Sequence, residues 1–173
     1  MKAEIAIKAA DLAIQSIGIK EQGGDNRGVQ IAKYLKSVDI DFPAAWCQAF
    51  CHFLYEKAAG FLGEELSEGF KNLNGYTPDN VAYAKKHNLW ISVQDAEDDH
   101  TLVKKGYMAY FYSKSKKRIF HVEMVISTNE DQVITVGGNT SPGNGVQANG
   151  DGVYRRTRTW KSFGEFGGFF KTY

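Results

Sequence analysis

Cysteine is scarce in this chain, and what there is lies badly for a staple. Cys47 and Cys51 are its two cysteines, four residues apart in a chain of 173. Two thiols at that spacing on one helix are poorly placed for a mutual disulfide. A chain this long can bury a core without staples, so the expectation is synthesis in a reducing compartment, or export without a cleaved signal. The N-terminal Met1-Lys2-Ala3-Glu4-Ile5 lacks the apolar core of a signal peptide, and no apolar run is long enough for a bilayer. The protein is therefore expected to be cytoplasmic as made, with no membrane partner. Charge of one sign is also missing, the formal net charge being +1. Arg155, Arg156, Arg158 and Lys161 form a local basic run, as do Lys114, Lys116, Lys117 and Arg118. Both alternate with strand-type residues and read as solvated strand faces or hairpin loops, with no nucleic-acid partner expected.

Other chemistries fail for want of residues. A zinc site needs more Cys or His than stand near Cys47, so no metal and no cofactor is expected. Cys47-Gln48-Ala49-Phe50-Cys51-His52 is a haem-attachment spacing widened by one residue, in a stretch that reads as buried helix. The loop Gly18–Gly28 is no phosphate loop, because no strand precedes it and no Gly-Lys-Ser/Thr follows. Neither an internal repeat nor an interdomain linker is visible. Hydrophobic content of 43% and aromatic content of 13% describe one ordinary domain over residues 1–173.

What the chain does carry is organised around Ala45–Ala58. Cys47, Cys51, Leu54 and Ala58 fall on one helical face, and Phe50 and Phe53 widen it. Pro43 suits a first helical turn, which sets Cys47 near the positive end of the helix dipole at the edge of a buried helix. A thiol there has its pKa drawn down, and a nucleophile results if a histidine arrives from elsewhere. The bland reading, a small core residue, is kept for Cys51.

Residues 3–17 form an amphipathic helix ended by Gly18, and Val29–Val38 a second. Residues 61–76 read as a surface excursion, and Thr77-Pro78 starts another helix with Thr77 as cap. After Lys105 the period becomes two. Tyr107–Tyr112, Arg118–Ser127, Gln132–Val136, Val153–Thr159 and Phe166–Lys171 are strand candidates. Helices followed by a meander of about five strands give an α+β domain with an antiparallel sheet.

Of the four histidines, His121 sits inside a strand, on the face opposite Val122, Met124 and Ile126. Folding the next hairpin about residue 130 pairs i with 260 − i and sets His121 opposite Asn139. Cross-strand Cβ atoms lie ~5 Å apart, within reach of an amide–imidazole hydrogen bond. Cys47, His121 and Asn139 thus form a candidate cysteine-hydrolase triad. Asn139 read alone is a turn residue in the left-handed region, and Glu21 read alone is a surface charge.

The same residues resemble a known family. Trp46-Cys47 opening a helix is similar to the nucleophile motif of the CHAP amidase/peptidase domains, relatives of the NlpC-type enzymes in the papain-like class. Lys105–Phe111 resembles the strand before the histidine, His121–Val125 the histidine strand, and Ile134–Thr140 the strand ending in Gly-Asn. Glu21–Asn26 resembles an N-terminal Glu–Gly–Asn loop of one branch. The likeness spans roughly residues 10–170. Three positions depart from it: Tyr107 replaces Asp, Phe120 replaces Gly, and Glu123 stands where a small residue is common.

The resemblance implies a papain-like/CHAP fold and a hydrolase that cuts a peptidoglycan amide bond through an acyl-enzyme. Cys47 would be nucleophile, His121 general base then acid, and Asn139 the group fixing the imidazole. Glu21, Asn26, Gln48 and Glu123 would contact substrate, with Gln48 or a group near Glu21 and Asn26 completing the oxyanion hole. The context implied is a phage endolysin or a secreted antibacterial effector, with secretion or phage machinery or an immunity protein as partners. The protein would act on the wall after release or non-classical secretion. Two alternatives remain: a catalytically silent peptidoglycan-binding domain, and a papain-like acyltransferase. Limited iodoacetamide at mildly acidic pH should modify Cys47 and spare Cys51. Equal labelling, or preference for Cys51, would remove Cys47 from the nucleophile role.

Overall fold

Six helices and six strands share one layered arrangement in the computed structural model, which describes residues 1–142 and 149–173. The helices are α1 (Ala3–Gln15), α2 (Val29–Lys36), α3 (Cys47–Leu62), α4 (Glu68–Lys71), α5 (Thr77–Lys86) and α6 (Val93–Asp98). The strands are β1 (Trp90–Ser92), β2 (Met108–Ser113), β3 (Arg118–Thr128), β4 (Gln132–Thr140), β5 (Gly152–Thr159) and β6 (Gly168–Phe170). They form one antiparallel sheet in the order β1-β6-β2-β3-β4-β5. The class is α+β, as expected. The sixth strand is β1, whose three residues bury only Ile91 and are too short to show a period.

Strand alternation splits the apolar residues between the two faces of the sheet. Met108, Tyr110, Val122, Met124 and Val136 belong to the larger core, shared with α1, α2 and α3. Ala109, Phe111, Val125, Val133, Trp160, Phe163 and Phe169 make a second core on the other face. His121 and Glu123 alternate with Val122 and Met124 and so share the face of Val125.

α1 lays Ile5, Ala6, Ala9, Leu12 and Ala13 inward, and its small residues let it pack closely on α3. α3 begins at Cys47 itself, with Pro43 four residues earlier outside the helix. It runs to Leu62, because the left-handed residue that stops it is Gly63 at φ 64°. Its start is fixed by aromatic rings. Trp46 stacks on Tyr34 at 5.6 Å between centroids, and Phe50 meets Tyr34 edge-on at 5.3 Å.

Residues 61–76 are not wholly a surface excursion. The one-turn helix α4 buries Phe70, which meets the Tyr55 ring at 4.6 Å, and Leu66 and Leu73 are buried on either side. Thr77 opens α5 without capping it; its hydroxyl donates to the Ile119 carbonyl instead.

The β3–β4 hairpin follows the expected register at Met124–Val136 and Val125–Thr135, then slips by one residue at Ser127–Ile134. Past Val136, β4 runs close against the start of α3. A Cβ on Gly138 would lie 2.4 Å from the Trp46 ring and 2.8 Å from Phe50. Gly138→Ala should therefore destabilise the fold by about 1–3 kcal/mol, the usual cost of overpacking, as read by urea denaturation. A neutral result would mean that α3 does not seat on β4 this tightly.

Candidate active site

Cys47 is the first residue of α3, and the first hydrogen bond of that helix runs from Phe50 N to Trp46 O. The N–H groups of Cys47, Gln48 and Ala49 therefore have no acceptor inside the helix and point along its positive end. Cys47 is 4% exposed and His121 fully buried. The thiol and the imidazole interact at the start of α3, a helix that packs on both β3 and β4.

The imidazole is held from one side by a carboxylate. His121 Nε2 lies 3.2 Å from Glu123 Oε1, both groups being fully buried. An ionised carboxylate only accepts, so Nε2–H is the donor. Nδ1 makes no ordinary hydrogen bond among the described residues, which leaves it to the Cys47 thiol, the other group that acts on the ring. Burial alone would lower the His121 pKa. Hydrogen bonding with Cys47 and Glu123, and their negative charge, outweigh burial and raise it to about 9.

Glu123 is the hub of the site. Thr135 Oγ1 donates to Oε2 at 2.6 Å, Arg158 Nε donates to Oε2 at 2.9 Å, and Arg158 Nη2 donates to Oε1. Burial would push the carboxyl up, but His121 and Arg158 together hold it down at about 2. Room for it comes from Gly137, where a Cβ would sit 2.7 Å from Glu123 Cγ.

Several expectations are corrected here. Among the described residues, Asn139 makes no hydrogen bond to the imidazole, whose Nε2 is taken by the Glu123 carboxylate. Asn139 is instead a buried residue in the left-handed region, at φ 53°, its carbonyl accepting from Gly150 N at 3.1 Å. Glu123 is not placed to contact substrate, being fully buried among His121, Thr135 and Arg158. Gln48 is 1% exposed and accepts from Tyr110 Oη at 2.8 Å within the core, which removes its side chain from both substrate contact and the oxyanion hole. The 155–161 run is not a solvated strand face: Arg155 is exposed, but Arg156 and Arg158 point inward. Sequence reasoning missed Arg158, yet its signal was present. A glutamate on the inward face of a central strand demands a buried cation.

Glu21 and Asn26 lie close to these groups. Glu21 accepts from Trp46 Nε1 at 2.8 Å, tying the N-terminal loop to the residue before Cys47. Glu21, Asp25, Asn26, Asn139, Gly150 and Asp151 border a polar cavity of about 130 Å³. A larger groove of about 740 Å³, bordered by Arg27, Leu35, Ile40, Phe42 and Pro43, adjoins it at Asn26. Cys47 and His121 line neither; the smaller cavity is the one bonded to the cysteine segment, through Glu21. Cys51 is fully buried, and burial pushes its thiol well above the ordinary value. His52 is buried against Phe70, and burial lowers its pKa. Among the described residues, no group of three or more His, Cys, Asp or Glu is placed to hold a metal ion, and no helix is long and apolar enough to cross a membrane. No family model, curated protein or solved structure matches the chain.

The pair sets a pH window. His121 is raised from 6.5 to about 9, so its stabilisation is complete below 6.5 and lost as pH rises through about 9. Glu123 is lowered from 4.5 to about 2, so its share is complete above 4.5 and lost as pH falls through about 2. Glu123→Gln should bring the imidazole titration, followed by NMR, down from about 9 toward 6.5 and flatten the alkaline loss of stability. Asn139→Ala should leave that titration in place. The reverse ranking would return the orienting role to Asn139.

Proposed function

We propose that the protein is a papain-like cysteine hydrolase that cleaves an amide bond of bacterial peptidoglycan, with Cys47 as nucleophile, His121 as general base and acid, and Glu123 as the group that orients the imidazole. The observation that carries this reading is a buried Cys–His–Glu chain beginning at the first residue of a core helix. That arrangement is how a thiol is activated: the helix end and an imidazolium favour the thiolate, and a carboxylate fixes the ring.

The steps follow from the geometry. The Cys47 thiolate attacks the amide carbonyl carbon, and the carbonyl π electrons move to oxygen. The free N–H groups at the start of α3, that of Cys47 first, are the donors for this oxyanion. Collapse breaks the C–N bond, and the leaving nitrogen takes the proton from His121 Nδ1. Water then gives a proton to Nδ1 as its oxygen attacks the thioester carbon. Release of the acid restores thiolate and imidazolium. Glu123 keeps Nε2–H in place throughout and is not itself protonated.

The choice of substrate is supported by the resemblance of four segments in order and by the chemistry beside Trp46. The small cavity presents Glu21, Asp25 and Asp151, acceptors suited to the free amine of a diamino acid in a wall stem peptide. One observation favours the silent binding domain instead, namely that Cys47 is 4% exposed and His121 fully buried. Incubation with sacculi distinguishes the two. Wild-type protein should release soluble fragments or new amino groups, and Cys47→Ser should release none. Binding of several wall chemotypes without cleavage would give the silent domain, and neither binding nor cleavage would remove peptidoglycan as the target.

A further inference from the structure

The buried guanidinium of Arg158 has no part in the steps above, yet it touches the group that orients them. We propose that Arg158 is a positioning residue: it grips both oxygens of Glu123 and so aims that carboxylate at His121 and keeps it charged. The inference rests on reading Cys47 and His121 as a reacting pair.

The geometry is that of a fork. Arg158 Nε reaches Oε2 at 2.9 Å and Nη2 reaches Oε1, the oxygen that also faces His121 Nε2. A bidentate clamp fixes the plane of the carboxylate as well as its position. The guanidinium is fixed in turn, with its carbon 5.2 Å from the centre of the Phe111 ring. Phe111 pairs with His121 across β2–β3, whereas Arg158 pairs with Val133 across β4–β5, so its long side chain reaches back along the sheet to meet Glu123. Residue 158 is 2% exposed.

Sharing has a second consequence. Oε1 serves two donors, so Arg158 takes part of the negative charge that would otherwise rest on the imidazolium. A carboxylate held by His121 alone would bind its proton more readily in acid and hold the imidazolium to higher pH in alkali. Arg158 therefore sets both ends of the pH range in which the pair is charged. Among the described residues, the other charged or titratable groups facing Glu123 and His121 are Cys47 and Cys51 from α3 and Arg156 from β5. Tyr110 on β2 faces the two thiols. Thr135 on β4 adds a neutral donor.

Two readouts that need no natural substrate test this: the NMR titration of the His121 imidazole, and the pH profile of Cys47 alkylation by iodoacetamide. Arg158→Met should move the acid limb of alkylation upward, since Glu123 then takes its proton at higher pH and withdraws support from the imidazolium beside the thiolate. It should also move the imidazole titration upward. Arg158→Lys, which keeps the charge but not the fork, should return the acid limb most of the way while leaving alkylation slower than in wild type. Should Arg158→Met fail to fold, the double variant Glu123→Gln/Arg158→Met should be more stable, because it leaves no lone buried charge. Unmoved limbs in Arg158→Met, a Lys variant shifted as far as Met, or a double variant no more stable than the single each overturn the role. A failure of peptidoglycan cleavage leaves these readouts intact and so is distinguishable.

Discussion

A carboxylate buried in the middle of a sheet costs several kcal/mol unless its charge is met, and much of this protein is arranged around meeting that of Glu123. Gly137 leaves out a side chain so that the carboxylate has room. Thr135 turns its hydroxyl inward to donate, and β5 turns Arg158 into the core where a solvated strand would turn it out. Phe111 gives the guanidinium an aromatic face to lie on. Removing either partner alone strands a buried charge, at a cost of about 3–5 kcal/mol. The polar cluster is thus a constraint on the fold before it is a site.

The second constraint is where α3 starts. Tyr34, Trp46 and Phe50 lock the first turn in an aromatic cluster, and Glu21 takes the indole N–H of Trp46. That fixes the helix end whose open N–H groups lie beside Cys47. Gly138 allows β4 to pass against the same rings. The helix end and the carboxylate hub are therefore registered on one another through residues 136–138. His121 lies between them, with one ring nitrogen committed to Glu123 and the other turned to the thiol.

The architecture was legible where residues repeat. The 3.6-residue period gave α1, α2 and α3 their inward faces, and the period of two gave β2 to β5. Arithmetic on the hairpin gave the β3–β4 register at two pairs. The short elements β1, α4 and α6 show too little period and were missed, whereas the three-residue β6 falls inside the expected Phe166–Lys171. The site was legible at Cys47 and His121, which follow from a helix start and a strand face. Asn139 was misread because cross-strand opposition alone does not make a hydrogen bond: the ring nitrogen is taken by Glu123, two residues along the same strand. Glu123 was noticed as out of place beside His121 but given to the substrate. Burial of its face, readable from Val125 beside it, assigns it to the protein's interior instead. Arg158 hid in a basic run, since solvated and inward arginines alternate on the same strand.

The most direct test asks whether Cys47 forms an acyl-enzyme at all, with a substrate that presumes nothing about the natural one. Mixing the protein with p-nitrophenyl acetate should give a burst of about one equivalent of p-nitrophenol, the ordinary sign of an acyl intermediate. Mass spectrometry of the quenched protein should place the acetyl group on Cys47, and His121→Ala should abolish the burst. A protein that shows no burst, or that carries the acetyl group on Cys51 or on lysines with His121→Ala behaving as wild type, would contradict the account.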